Sequence, residues 1–139
     1  MPRTFTEAEA RQYSPLTLAF LGDSVYEIMV RQAVTTRANA PVQALHQEKI
    51  RYVCAAFQAG AADRLLPALT EAEAAVYRRA RNASLSPPKH ADPADYRRAT
   101  GLEAVFGYLQ LTAQFERISE LFDSIWEMRD EISQEKECE

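Results

Sequence analysis

Two cysteines and four glycines are a thin supply of both for 139 residues. Cys54 lies in an apolar stretch and Cys138 in the acidic end of the chain, so neither a disulfide framework nor a Cys/His metal cluster is indicated, and both are expected to be free thiols. No run of about 18 apolar residues occurs, and the opening MPRTFTEAEARQ is polar where a secretory leader needs an apolar segment. A cytoplasmic protein is the expectation. Sustained alternation of apolar and polar residues with β-branched enrichment is also missing, which argues against a sheet-based fold. Positive charge is not in excess: 16 Lys and Arg face 20 Asp and Glu, a net −4, so coating of nucleic acid by a globally basic surface is not indicated. What remains is an ordinary globular composition, 47% apolar and 26% charged. We read one all-α domain over residues 1–139, with its core at about 14–132 and a frayed acidic tail after 132.

The helices can be placed by their start and stop signals. Ser14-Pro15 opens a long helix to about Arg37, with serine as the cap and proline at the first helical position. Its centre, LTLAFLGDSVYEIMV, is apolar nearly all round and belongs in the middle of the fold or at an interface. A second helix starts near Pro41 and ends close to Gly60, followed by a short segment around Leu65 and Leu66. Thr70-Glu71-Ala72-Glu73 is a capping box that starts a helix to about Asn82. SLSPPKHADP is a loop, closed by Asp92-Pro93 at the head of a helix that runs to about Thr112. A last helix carries Ile118, Leu121, Phe122, Ile125 and Ile132. Charge is uneven along this order. Val76 to Arg98 holds six basic residues against two acidic ones, whereas Glu116 to Glu139 holds three basic against nine acidic.

Three of the four glycines, Gly22, Gly101 and Gly107, fall inside helices, where each costs roughly 1 kcal/mol relative to alanine. Gly22 precedes Asp23, a carboxylate in the most apolar helix, and Gly101 and Gly107 bracket Glu103. This pattern predicts two helices crossing tightly, with one carboxylate from each near the crossing. A buried carboxylate must be neutralised, paired with a cation or bound to metal, and the residues alone leave these three open. Glu27, one turn after Asp23, shares its face and is a candidate third ligand, a supporting group or an exposed residue. An all-oxygen set suits Mg²⁺ or Mn²⁺ rather than zinc, and His46 and His90 have no zinc-ligand spacing.

Two of these segments carry a family resemblance. LAFLGDSVYE from Leu18 resembles the signature helix of the ribonuclease III catalytic domain, with Asp23 as its aspartate, and ATGLEAVFGYLQL from Ala99 is similar to the second acidic helix, with Glu103 as the metal-binding glutamate. RARNA from Arg79 and PPKH from Pro87 resemble segments of the Mini-ribonuclease III subgroup, which lacks the double-stranded-RNA-binding domain. The four matches fall in order over about residues 14–125. Leu16, Ala19 and Thr100 stand where full-length relatives carry further carboxylates, which is the Mini-type pattern, and Ala80 replaces its usual glycine.

The resemblance implies a helical bundle of the ribonuclease III endonuclease type, acting as a homodimer that cleaves structured, double-stranded RNA with Mg²⁺, Mn²⁺ being the natural substitute. It implies 5′-phosphate and 3′-hydroxyl ends, maturation of the 23S ribosomal RNA precursor, and a possible ribosomal-protein helper for a catalytic domain that has no binding domain. Asp23 and Glu103 would hold the metal, with Glu27 as the added candidate. Arg79, Arg81, Asn82, Lys89 and His90 would meet phosphates and 2′-hydroxyls of an A-form helix. Phe20, Tyr26 and Met29 are the candidates for the dimer contact. The alternative is a ribonuclease-fold RNA-binding module that has lost catalysis, as Leu16, Ala19 and Thr100 allow.

Overall fold

A computed structural model describes residues 2–84 and 86–135. In chain order the helices are α1 (Glu7–Arg11), α2 (Pro15–Arg37), α3 (Val42–Val53), α4 (Ala55–Leu65), a 3-10 turn (Leu66–Ala68), α5 (Glu71–Ala83), α6 (Pro93–Leu111), α7 (Phe115–Glu127) and α8 (Arg129–Glu135). Among the described residues there is no strand, as the all-α reading expects.

Local chemistry accounts for the main helix starts. At α5 the Thr70 hydroxyl accepts from the Glu73 amide and the Glu73 carboxylate accepts from the Thr70 amide, a reciprocal capping box. At α6 the Asp92 carboxylate accepts from the amides of Ala94 and Asp95 while Pro93 fills the first helical position. The start of α2 differs from expectation: Ser14 makes no capping bond through its side chain, and Pro15 alone marks the entry. The second and last helices of the sequence reading are each two. Cys54 is extended (φ −71°, ψ 157°) and separates α3 from α4, and Met128 separates α7 from α8.

The axis of the fold is α6, which packs against α2, α5 and α4. It is buried almost all round from Ala99 to Leu109, with Glu103 the half-buried exception. Alongside it, α2 buries Leu18, Gly22, Val25, Tyr26 and Val30 but leaves Phe20 and Ile28 81% and 63% exposed. The Arg117 guanidinium closes the far end, donating to both Glu73 oxygens (2.9 and 3.0 Å) and to the Ala68 carbonyl (2.8 Å). Two expectations change here. Tyr26, a dimer-contact candidate, is core: it is 1% exposed and its hydroxyl donates to the Tyr52 carbonyl. Cys54 is disulfide-bonded rather than free. Cys138 and the rest of 136–139 lie outside the described residues.

The α2–α6 contact is backbone on backbone. A methyl group at Gly22 would stand 1.6 Å from the Glu103 carbonyl oxygen, and one at Gly107 would stand 1.9 Å from the Leu18 carbonyl oxygen. Gly101 serves a different neighbour, the ring of Tyr77 on α5 at 2.6 Å. Helix propensity alone would make alanine at Gly22 or Gly107 stabilising by about 1 kcal/mol. The contact reverses that sign: Gly22→Ala and Gly107→Ala are each expected to lower stability by about 3 kcal/mol or more, read as a fall in unfolding temperature by circular dichroism.

Candidate active site at the α2–α6 crossing

Asp23 follows one contact glycine, and Glu103 supplies the carbonyl that the same glycine meets, so the crossing that buries the two backbones brings the two carboxyl groups face to face. They lie within hydrogen-bonding reach of each other. A hydrogen bond between carboxyl groups requires a proton on one of them, and the environment selects Glu103. Burial first, and then the Asp23 charge, push Glu103 up to about 8, while a hydrogen bond with the Gln58 side chain acts the other way. Asp23 is exposed and keeps its water. Tyr26, on the core side, is raised by burial and by the Glu103 charge.

Both carboxyl groups line a cavity of about 230 Å³, walled by Leu16, Ala19, Phe20, Ser84, Tyr96 and Thr100. Thr100 donates to the Tyr96 carbonyl at 3.0 Å, and the Ser84 hydroxyl lies 3.4 Å from that of Thr100. No third acid joins them. Glu27 faces away, with one oxygen 2.7 Å from Arg31 and the other 3.7 Å from Lys49, and no group of three His, Cys, Asp or Glu side chains able to hold a metal exists among the described residues. The pair nevertheless fits a hard divalent cation. It offers carboxylate oxygens only, it carries a repulsion that a cation would relieve, and it leaves room for water or phosphate oxygens as the remaining ligands.

The basic segment divides. Arg81 and Asn82 line a second cavity of about 510 Å³ with Ser84, Ala94, Arg97 and Arg98. Ser84 belongs to both cavities, so the basic one adjoins the acidic one. Arg98 is neutralised by Asp63 (2.7 Å) and Asp95 (3.1 Å). Arg97, which the sequence reading did not single out, has no ion pair among the described residues and faces the basic cavity. Arg79 is a strut, donating to the carbonyls of Arg11 (2.6 Å) and Tyr13 (3.4 Å). Lys89 and His90 stand exposed in the turn before α6. Arg97 was hidden because spacing cannot separate a paired arginine from its unpaired neighbour.

The chain is similar to known proteins over most of its length. A Ribonuclease III domain model matches residues 16–114, a span that contains both carboxylates. The chain is 50% identical over 111 residues to the Mini-ribonuclease 3 of Symbiobacterium thermophilum, covering 79% of this chain and 85% of that one. It is 42% identical over 125 residues to the Mini-ribonuclease 3 of Desulfitobacterium hafniense, covering 90% and 76%. A crystal structure of a Fusobacterium nucleatum protein superposes with a TM-score of 0.77 at 28% identity, over 83% of this chain and 94% of that one.

The proton on Glu103 has a sign for stability. A carboxyl group whose folded value lies above its unfolded one favours folding below the unfolded value, and that advantage is lost as pH rises towards 8. In EDTA the parent is therefore expected to lose on the order of 2 kcal/mol relative to Glu103→Gln between pH 5 and pH 8.5. Denaturant titrations of the two proteins at both pH values measure it; parallel stabilities would contradict the coupled pair.

Proposed function

The chain belongs to the ribonuclease III family and is an endoribonuclease; from that premise we propose that it cleaves double-stranded RNA with Mg²⁺, or Mn²⁺ in its place, held by Asp23 and Glu103. The observation that carries the proposal is the facing carboxyl pair at the Gly22–Gly107 crossing, one member exposed and the other pushed up by burial. Bound there, Mg²⁺ would supply a Lewis acid for the phosphate and an activated water for in-line attack, giving 5′-phosphate and 3′-hydroxyl ends. Asp23 meets the incoming ion from the solvent side. Glu103, fixed on the most buried helix, sets the inner limit of the site. Leu16, Ala19 and Phe20 form the apolar side of the cavity. Glu27 stays with Arg31 and Lys49 and supports α2 against α3.

The RNA surface follows from the shared Ser84. A strand whose phosphate reaches the carboxyl pair passes directly into the cavity of Arg81, Asn82 and Arg97; Lys89 and His90, exposed in the turn before α6, join this surface on the resemblance to the Mini type. These contacts read backbone and 2′-hydroxyls, hence duplex shape rather than sequence. Arg79 contributes whatever donors Arg11 and Tyr13 leave unused.

A duplex needs two cuts and each chain has one carboxyl pair, so we assign a homodimer, whose two-fold axis would present equivalent sites to the two strands. Its contact surface is the apolar groove of about 410 Å³ lined by Leu21, Val25, Ile28, Met29, Phe115 and Ile118, in which Ile28 and Phe115 are 63% and 55% exposed. The 23S ribosomal RNA precursor as substrate, a ribosomal-protein helper, a cytoplasmic location and the single-domain organisation over 1–139 complete the proposal, and rest on the resemblance to the Mini type.

Three measurements test these parts separately. Asp23→Asn and Glu103→Gln, folded by circular dichroism, are expected to lose about a thousandfold or more in cleavage of duplex RNA with Mg²⁺, and undiminished cleavage by either removes the proposal. Arg97→Ala and Arg81→Ala are expected to weaken RNA binding and each to reduce the slope of log K against log salt by about one, seen by fluorescence anisotropy in EDTA. Ile28→Asp is expected to convert a dimer to a monomer in light scattering after gel filtration.

A further inference from the structure

Gln58 is a polar side chain in a place where the core could take an apolar one. It sits in the first turn of α4, 3% exposed, on the helix that packs against α6. Its amide NH₂ donates to the Val53 carbonyl at 2.9 Å, at the end of α3, and its side chain stands close enough to Glu103 to draw that carboxyl down against burial. The amide oxygen, Oε1, is the one buried side-chain nitrogen or oxygen without a partner among the described residues. An unmet buried acceptor is destabilising, and methionine would fill a similar volume without it. Packing therefore does not account for a glutamine here.

The surroundings of Glu103 show what the amide does. On the cavity side stands Asp23, which repels the ionised form. On the core side Tyr26 has its hydroxyl proton on the Tyr52 carbonyl and holds nothing else. Gln58 supplies the amide donor. The break at Cys54 delivers it, because an uninterrupted α3–α4 helix would keep the Val53 carbonyl within its own ladder, and the side chain would lose the anchor that fixes it.

We propose that Gln58 is a positioning residue for Glu103: clamped to the Val53 carbonyl at the α3–α4 junction, its amide holds the Glu103 carboxylate turned towards Asp23, so that the affinity of the pair for a divalent cation depends on a residue outside the cavity. The inference rests on the cation-binding reading of the pair. Groups that orient a ligating carboxylate typically change metal affinity by about 10–100-fold when removed.

The test uses the full chain with Gln58→Met and, as an independent filling of the same space, Gln58→Leu. Mn²⁺ binding without RNA is followed by electron paramagnetic resonance, the Mg²⁺ concentration for half-maximal cleavage by steady-state kinetics, RNA affinity by anisotropy in EDTA, and unfolding temperature in EDTA. Both variants are expected to bind Mn²⁺ about tenfold or more weakly and to need proportionally more Mg²⁺. Their RNA affinity is expected to stay at the parent value and their unfolding temperature within a few degrees of it. Unchanged Mn²⁺ affinity would overturn the assignment, and a fall in unfolding temperature alone would leave Gln58 as a cap for α3. Weaker Mn²⁺ binding seen only in variants that have lost helical signal would also overturn it. A parent chain that binds no Mn²⁺ but cleaves RNA would refute the reading of the pair, and this inference with it.

Discussion

The contact between Gly22 and Gly107 is the constraint on which the rest depends. Two helices whose backbones touch cannot slide or rotate without collision, because a carbonyl of each occupies the space where the other would carry a Cβ. That fixes the register of α2 against α6 to a single residue, and the carboxyl groups follow from the register. Asp23 is the neighbour of one contact glycine and Glu103 the partner of the same glycine, so no loop or flexible side chain intervenes between the packing and the chemistry. Sites built on rigid elements in this way are positioned by the core itself. The glycines weaken their helices locally, and the tight packing of α6 against three neighbours offsets it.

The same geometry makes the pair electrostatically asymmetric. One carboxyl group projects from α2 into solvent and the other from the most buried helix, so a cation approaching from the cavity meets a hydrated charge first and a desolvated one behind it. Without a cation the inner group is driven towards its protonated form, which removes the repulsion. In the proposed site, attraction between a bound ion and the carboxylates would replace the proton. On that proposal the site would stand between two ways of neutralising a buried acid, and its inner wall, including Gln58, would set where that balance lies.

Much of this is legible in the sequence because the relevant residues break local rules. Glycines inside helices beside carboxylates announce a close crossing, and the structure has Gly22 and Gly107 at it. The capping box at Thr70 and the Asp92-Pro93 start are readable because the capping partners lie within three residues. What was hidden depends on distant partners. The break at Cys54 has no proline or glycine to mark it. Tyr26 matched an interface pattern as well as a core one, and only the Tyr52 carbonyl, 26 residues away, decides between them. Glu27 shares a helical face with Asp23, but Lys49 and Arg31 claim it. Gln58 gives no signal at all in an alanine-rich stretch, because its meaning lies in Glu103, 45 residues on.

The basic segment shows how formal charge becomes usable charge. Six cations between Val76 and Arg98 suggest a broad positive surface. The fold assigns Arg98 to two aspartates and Arg79 to the carbonyls that end α1, so those guanidinium groups hold elements together and present little field to a ligand. Arg81 and Arg97 remain at the rim of a cavity that shares a wall with the acidic one. In a chain of net charge −4, a small positive cavity beside a negative one offers polyanions a local point of attraction. In the proposed binding mode an RNA duplex would gain most where its phosphates meet these arginines, next to the carboxyl pair. The overall negative charge, which first argues against a nucleic-acid protein, narrows the places where a duplex can dwell.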